Sequence, residues 1–96
     1  MLVLCVVYTF PDDRADEVEP MFRALRDASR AEAGNVGYEV MRGGEGARAT
    51  FVIFEKWRDR AALDFHLATE PFVRLGLNGF RPLAISRSAV QGELVP

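Results

Sequence analysis

The sequence predicts an α+β fold in which two amphipathic helices cover one face of an antiparallel four-stranded sheet. Two observations lead there. Runs rich in β-branched and aromatic residues alternate with segments whose apolar positions recur at three-and-four spacing. Glycine, proline and aspartate mark the joints between them. With 96 residues there is room for one core, so the chain reads as a single domain, 1–96.

Leu2 to Phe10 is dense in strand-forming residues and stops at Pro11-Asp12-Asp13. From Asp16 to Ala33 the apolar positions are Val18, Met21, Phe22, Leu25 and Ala28, a helical stripe that leaves Arg23, Arg26, Asp27 and Arg30 outward. Asp16 is the expected N-cap and Gly34 the expected C′ residue. Pro20 places the helix start close to Asp16, with a kink as the alternative. Strands follow over Asn35–Arg42 and Arg48–Trp57, joined by the hairpin connection Gly43-Gly44-Glu45-Gly46. A phosphate loop is the rival for those glycines, but the Lys-Ser/Thr pair and the following helix that it needs are missing. Asp59 caps a second helix, Arg60 to Ala68, with Leu63, His66 and Leu67 on or near one stripe. Pro71 ends it and opens a short turn through Phe72 and Leu75. Asn78-Gly79 reads as a turn, and Pro82 precedes a last strand from Leu83 to Val90.

The order strand, helix, strand, strand, helix, strand is the ferredoxin-like arrangement, with both helices on one sheet face. A second face open to water would be polar. Strand one is almost continuously apolar, and Phe51-Val52-Ile53-Phe54 is apolar in both directions. The second face therefore needs cover, and a second copy of the sheet is the simplest: a homodimeric α+β barrel.

A net charge of −2 argues against nucleic acid as a partner. The fold is shared with RNA-recognition motifs, but Ala47-Arg48-Ala49-Thr50-Phe51-Val52-Ile53-Phe54 lacks the glycine and first stacking aromatic of their strand-three octamer. The apolar opening Leu2–Val7 is far too short for a membrane span and has no basic residues before it. Cys5, the only cysteine, cannot form an internal disulfide, and the cytoplasm is the default location. It reads as a core thiol, with a reactive one as the alternative. One His and one Cys, far apart, do not suggest a metal site.

The segment Phe54 to Leu67 carries the candidate chemistry. Glu55 and Trp57 share a strand face with Phe51 and Ile53, and a carboxylate on that apolar stripe needs a partner such as an Arg or His66. Each residue has a plain reading beside the chemical one. Glu55 serves as a structural ion-pair partner or in catalysis. Trp57 packs at the strand end with its N–H on backbone, or forms a pocket wall. His66 is a satisfied core or interface histidine, or a proton-transfer group.

The pattern Glu55-x-Trp57, then a capped helix carrying Ala62-Leu63 and His66-Leu67, then Pro71-Phe72, resembles the antibiotic-biosynthesis monooxygenase domain. Ser29-Arg30-Ala31-Glu32-Ala33-Gly34 followed by Gly37-Tyr38-Glu39 is similar to the same family, and the likeness runs from strand one to Ser88. The resemblance implies a dimeric α+β barrel with a pocket in each protomer, and oxygenation of phenols or quinols by O2 without metal or flavin. Some members of the family degrade haem and others isomerise a phosphorylated sugar. The haem branch's Asn on strand one is absent, His66 stands where that branch has Trp, and Gly76 about where it has His. Ile53 stands where the polyketide-oxygenating branch has an Asn. The small quinol-monooxygenase type remains.

On that resemblance the expected site takes a flat quinol or polycyclic phenol and O2, with no cofactor. His66 is the expected base, Glu55 orients it or an Arg, and the Trp57 N–H or Arg87 holds the oxyanion. Tyr8, Phe51, Trp57, Leu63 and Phe72 are the expected walls. The alternatives are a non-catalytic binder of small ligands and a sugar-phosphate isomerase; the latter needs a cationic clamp, for which Arg23, Arg42 and Arg74 are too scattered to judge.

Overall fold

A computed structural model describes all of residues 1–96. The strands are β1 (Leu2–Thr9), β2 (Asn35–Arg42), β3 (Thr50–Trp57) and β4 (Ser86–Gly92). They form one antiparallel sheet in the order β2-β3-β1-β4, with α1 (Ala15–Arg30) and α2 (Arg60–Leu67) as the connecting helices. This is the ferredoxin-like arrangement expected from the element order.

Register places the site. On the helix-covered face, Tyr8 pairs with Phe51 on one side and Arg87 on the other. Two steps along that face, past Ile53, Glu55 lies between Leu4 and Tyr38. Val18, Phe22 and Leu25 of α1 are fully buried against this face, as the helical spacing of their sequence requires. Phe22 is the hub: its ring stacks on Phe51 at 4.7 Å and on Phe80 at 3.9 Å, and meets Tyr8 and Phe10 edge-on at 5.8 Å each. The opposite face carries Val3, Cys5 and Val7 of β1 and Val52 and Phe54 of β3, and all but Val3 keep some exposure. Val90 and Met41, at the edges of that face, are 73% and 58% exposed.

Several boundaries differ from the sequence reading, each for a physical reason. A 3-10 turn over Asp12–Arg14 runs directly into α1, so Arg14 occupies the N-cap without a side-chain bond. Asp16, the expected cap, instead accepts a 2.9 Å bond from Arg42 on β2. The helix continues through Pro20, which lies on the exposed side, where water can take the carbonyl left without a partner. Gly34 does not adopt a left-handed C′ conformation. Its lack of a side chain is required because an added Cβ would lie 2.4 Å from Ala62 Cβ, so α2 rests on this point. β3 begins at Thr50, not Arg48, because the connection after β2 closes through turns from Gly44 to Ala47 and from Ala47 to Thr50. Gly46 there has φ of +81°, a conformation that favours glycine. Asn78-Gly79 is not a free turn: both lie within a π-helix, Phe72–Phe80, followed by a 3-10 turn, Arg81–Leu83. The last strand accordingly starts at Ser86. No helix is long and apolar enough to cross a membrane.

Candidate functional site

Glu55, Trp57 and His66 come together at the end of β3. Residues two apart on a strand share a face, so Glu55 and Trp57 both point towards the helices. Asp59 caps α2 by accepting from the Ala62 amide at 2.8 Å, which fixes where the helix starts. His66, nearly two turns on, is thereby delivered to the sheet, 1% exposed. Its ring lies 4.5 Å from Trp57, 6.1 Å from Tyr38 and 5.2 Å from Phe72.

The hydrogen bonds assign roles. The Trp57 indole N–H donates to Glu55 Oε1 at 3.0 Å, so its partner within the protein is the carboxyl group and not the backbone. His66 Nε2 lies 4.0 Å from the same Oε1, close enough to exchange charge but beyond a direct hydrogen bond. The residue that orients His66 is Glu32, whose Oε2 sits 2.8 Å from Nδ1. A carboxylate can only accept, so Nδ1 carries the hydrogen and Nε2 is left with its lone pair facing Glu55. A carboxylate from the α1–β2 connection, an imidazole from α2 and a carboxyl group from β3 thus stand together.

Burial sets their charge states. Glu55 is 5% exposed, and burial raises its pKa to about 7, against the opposing pull of the Trp57 N–H and the Arg87 charge. His66 moves the other way: burial lowers its pKa from 6.5, partly offset by Glu32. Near neutral pH the centre therefore holds a neutral imidazole beside a carboxyl group close to half protonation. The Tyr38 phenol is also pushed up, first by burial and then by the Glu55 charge.

The expected walls divide. Tyr8 and Arg87 meet, with Arg87 Nε donating to the Tyr8 oxygen at 3.1 Å. Phe72 is half-buried against His66. Phe51, Trp57 and Leu63 are closed into the core at 2% exposure or less. Phe51 is held by Phe22 and touches only a hollow of about 210 Å³ on the far side, beside Glu19 and Arg42. The three arginines considered for a phosphate clamp are each paired with carboxylates: Arg23 with Glu19, Arg42 with Asp16 and Glu19, and Arg74 with Glu70. No three His, Cys, Asp or Glu side chains gather in a metal-ligating arrangement.

Glu32 is the member of this cluster that sequence reasoning did not name as a candidate. One signal pointed to it: a carboxylate just past a helix C-terminus opposes the helix dipole, so its place there needs another cause. It also lines a hollow of about 320 Å³ with Gly34, Arg58 and Phe65, which puts the partner of His66 at the protein surface.

Fold and site together define a class: a small ferredoxin-like protomer with a buried histidine held between two carboxyl groups. The chain belongs to the antibiotic biosynthesis monooxygenase family, whose model matches residues 1–75. Among curated proteins it is 33% identical over 94 residues to the Bacillus subtilis (strain 168) protein named "Putative monooxygenase YcnE", covering 98% of both chains. Among solved structures it is similar to PA3566 from Pseudomonas aeruginosa, with 33% identity, a TM-score of 0.89 and coverage of 99% and 94%. A crystal structure described as an antibiotic biosynthesis monooxygenase superposes with a TM-score of 0.90 at 31% identity over the whole of both chains.

Proposed function

We propose that this protein is a monooxygenase that makes a phenol or hydroquinone reactive towards O2 by removing its proton, with His66 as the base and Glu32 as its positioning partner. The observation that carries this reading is the Glu32–His66 bond, which leaves Nε2 as an unprotonated acceptor inside an apolar enclosure. Family membership and the likeness to YcnE support the reaction class.

Nε2 takes the phenolic proton, and the electron-rich phenolate passes an electron to O2. The radical pair collapses to a carbon-bound peroxide, and the proton held on His66 returns to it. Loss of water then leaves a carbonyl, so one oxygen atom enters the product and the other leaves as water. The phenolate stays paired with the imidazolium, and protonated Glu55 can donate to the same oxygen. Because His66 is 1% exposed, substrate reaches it by displacing the half-buried Phe72. In this reading Tyr8, Phe72 and Arg87 flank the substrate, while Phe51 and Leu63 back the core behind it.

The apolar second face, with Cys5, Val7, Val52 and Phe54, supports a homodimer closed sheet to sheet, in which each protomer keeps its own centre. Phe54→Glu should convert dimers to monomers in sedimentation; unchanged mass would remove this face from the interface.

The test of the function is O2 uptake by metal-stripped protein with naphthohydroquinones and anthrones, beside His66→Ala. Uptake above autoxidation that falls at least a hundredfold in the variant is expected. Uptake that survives in the variant would remove His66 as the base. The burial of His66 also suits a second reading, a non-catalytic ligand binder, which would bind the same compounds with no uptake in either protein.

A further inference from the structure

Two guanidinium groups converge on one buried phenol beside the site. Arg87 Nε, on edge strand β4, lies 3.1 Å from the Tyr8 oxygen. Arg81 Nε, on the 3-10 turn after the π-helix, lies 3.4 Å from the same atom. Tyr8 is 3% exposed, whereas Arg81 is half-buried and Arg87 open to solvent. Every other arginine except Arg48 has a carboxylate within ion-pair distance; Arg81 and Arg87 have none. Two like charges gathered on a neutral oxygen repel each other, and within the protomer only the Glu55 charge, felt by Arg87, opposes that.

The donors there are only partly used. The Tyr8 oxygen accepts from both arginines while its own O–H donates to no protein group, and each guanidinium keeps further N–H groups free. One phenolic O–H and two guanidinium edges form a set that suits the oxygens of a carboxylate or phosphate. The position relative to the base is defined by Phe72: its ring is 5.2 Å from the His66 ring, and the Arg81 guanidinium stands 5.9 Å over it. An aromatic ring that displaces Phe72 would reach the base at one edge and the arginines at the other.

We infer that Tyr8, Arg81 and Arg87 form an anion-binding site, and that the substrate is an aromatic acid whose hydroxyl meets His66 while its carboxylate or phosphate docks on this cluster. The inference rests on the reading of the site as the substrate pocket and deepens it. It also gives β4 a part in the site, since that strand supplies Arg87 to a centre otherwise built from the α1–β2 connection, β3 and α2.

The test is calorimetric binding of a hydroxynaphthoate, of naphthyl phosphate and of uncharged naphthol, to the intact protein and to Arg81→Gln, Arg87→Gln and the double variant. At least one of the two anions should bind ten or more times tighter than naphthol, and which one does separates carboxylate from phosphate. Each single change should cost about tenfold in anion affinity, and the double change should bring the anions level with naphthol. Unchanged melting temperatures in the variants would show that the loss is not one of folding. Equal affinities in the intact protein, an anion preference that survives the double change, or no binding of any probe would each overturn the proposal. O2 uptake separates the two claims. Selective anion binding without uptake keeps the cluster and removes the oxygenase, whereas uptake with neutral hydroquinones and no anion preference does the reverse.

Discussion

Glu55 is held in the fold at a cost that depends on pH, and Glu55→Gln should reveal it. The carboxyl group titrates near 7 in the folded protein against 4.5 in an open chain, chiefly because burial disfavours its charged form. Between those values the unfolded chain releases a proton that the folded one keeps. Stability therefore falls as pH rises through this window, and the full penalty stands above 7. A shift from 4.5 to about 7 corresponds to about 3 kcal/mol. Glutamine retains the carbonyl oxygen that accepts from the Trp57 N–H but cannot ionise. At about pH 4 the two proteins should melt together, and at about pH 8 the variant should melt on the order of 10 °C higher. His66 contributes with the opposite sign, because its lowered pKa removes stability as pH falls through 6.5, but it does so in both proteins. Thermal unfolding by circular dichroism at matched concentration gives the answer. A variant less stable than the parent at about pH 8 would refute the reasoning, because the ionised carboxylate would then be a net source of stability.

Other consequences are as direct. His66 is the only histidine, so its imidazole protons can be followed by NMR; it should titrate below 6.5, and Glu32→Gln should lower it further by removing the charge that opposes burial. A rise in the variant would contradict the Glu32 assignment. Gly34→Ala forces a Cβ against Ala62 Cβ and should destabilise by about 1–3 kcal/mol, recovered in part by Ala62→Gly in the same chain. Chemical denaturation measures both, and a neutral Gly34→Ala would show that the helix yields freely. Asp59→Ala removes the cap of α2 and should lower the melting temperature at neutral pH. The Asp59 pKa is depressed by the Ala62 amide, so its contribution fades as pH falls through the folded pKa, and the difference from the parent should shrink in acid.

The fold was legible because its cues are local and repeated. The alternation of β3 and the stripe of α1 put Phe51, Ile53, Val18 and Phe22 on one side of the sheet, and the structure agrees. Cues failed where one residue type serves two purposes. Asp16 suits a helix cap and an ion pair equally, and the nearby Arg42 took it. Gly34 suits a C′ turn and a close approach, and Ala62 decides between them. Asn78-Gly79 has the composition of a turn, yet burial of Gly76 and Phe80 keeps the segment helical.

The geometry of the candidate site was legible only in part. Glu55 on an apolar stripe demanded a partner, and Trp57, His66 and the Arg87 charge supply it. Glu32 was hidden because it meets His66 across 34 residues of sequence, a pairing fixed only when α2 folds back over the end of α1. The expected walls failed as an open pocket because Phe22 fills the space in front of Phe51, and Leu63 is spent on the core.

In the proposed reaction His66 transfers a proton so that one atom of O2 enters the substrate. The most direct measurement is turnover of an anthrone under isotopically labelled O2, with mass analysis of the product and an assay for hydrogen peroxide. One labelled oxygen per product molecule, little peroxide, and loss of both product and label in His66→Ala are expected. Stoichiometric peroxide with no label in the product would contradict it, and the centre would then be an oxidase or a bystander to autoxidation.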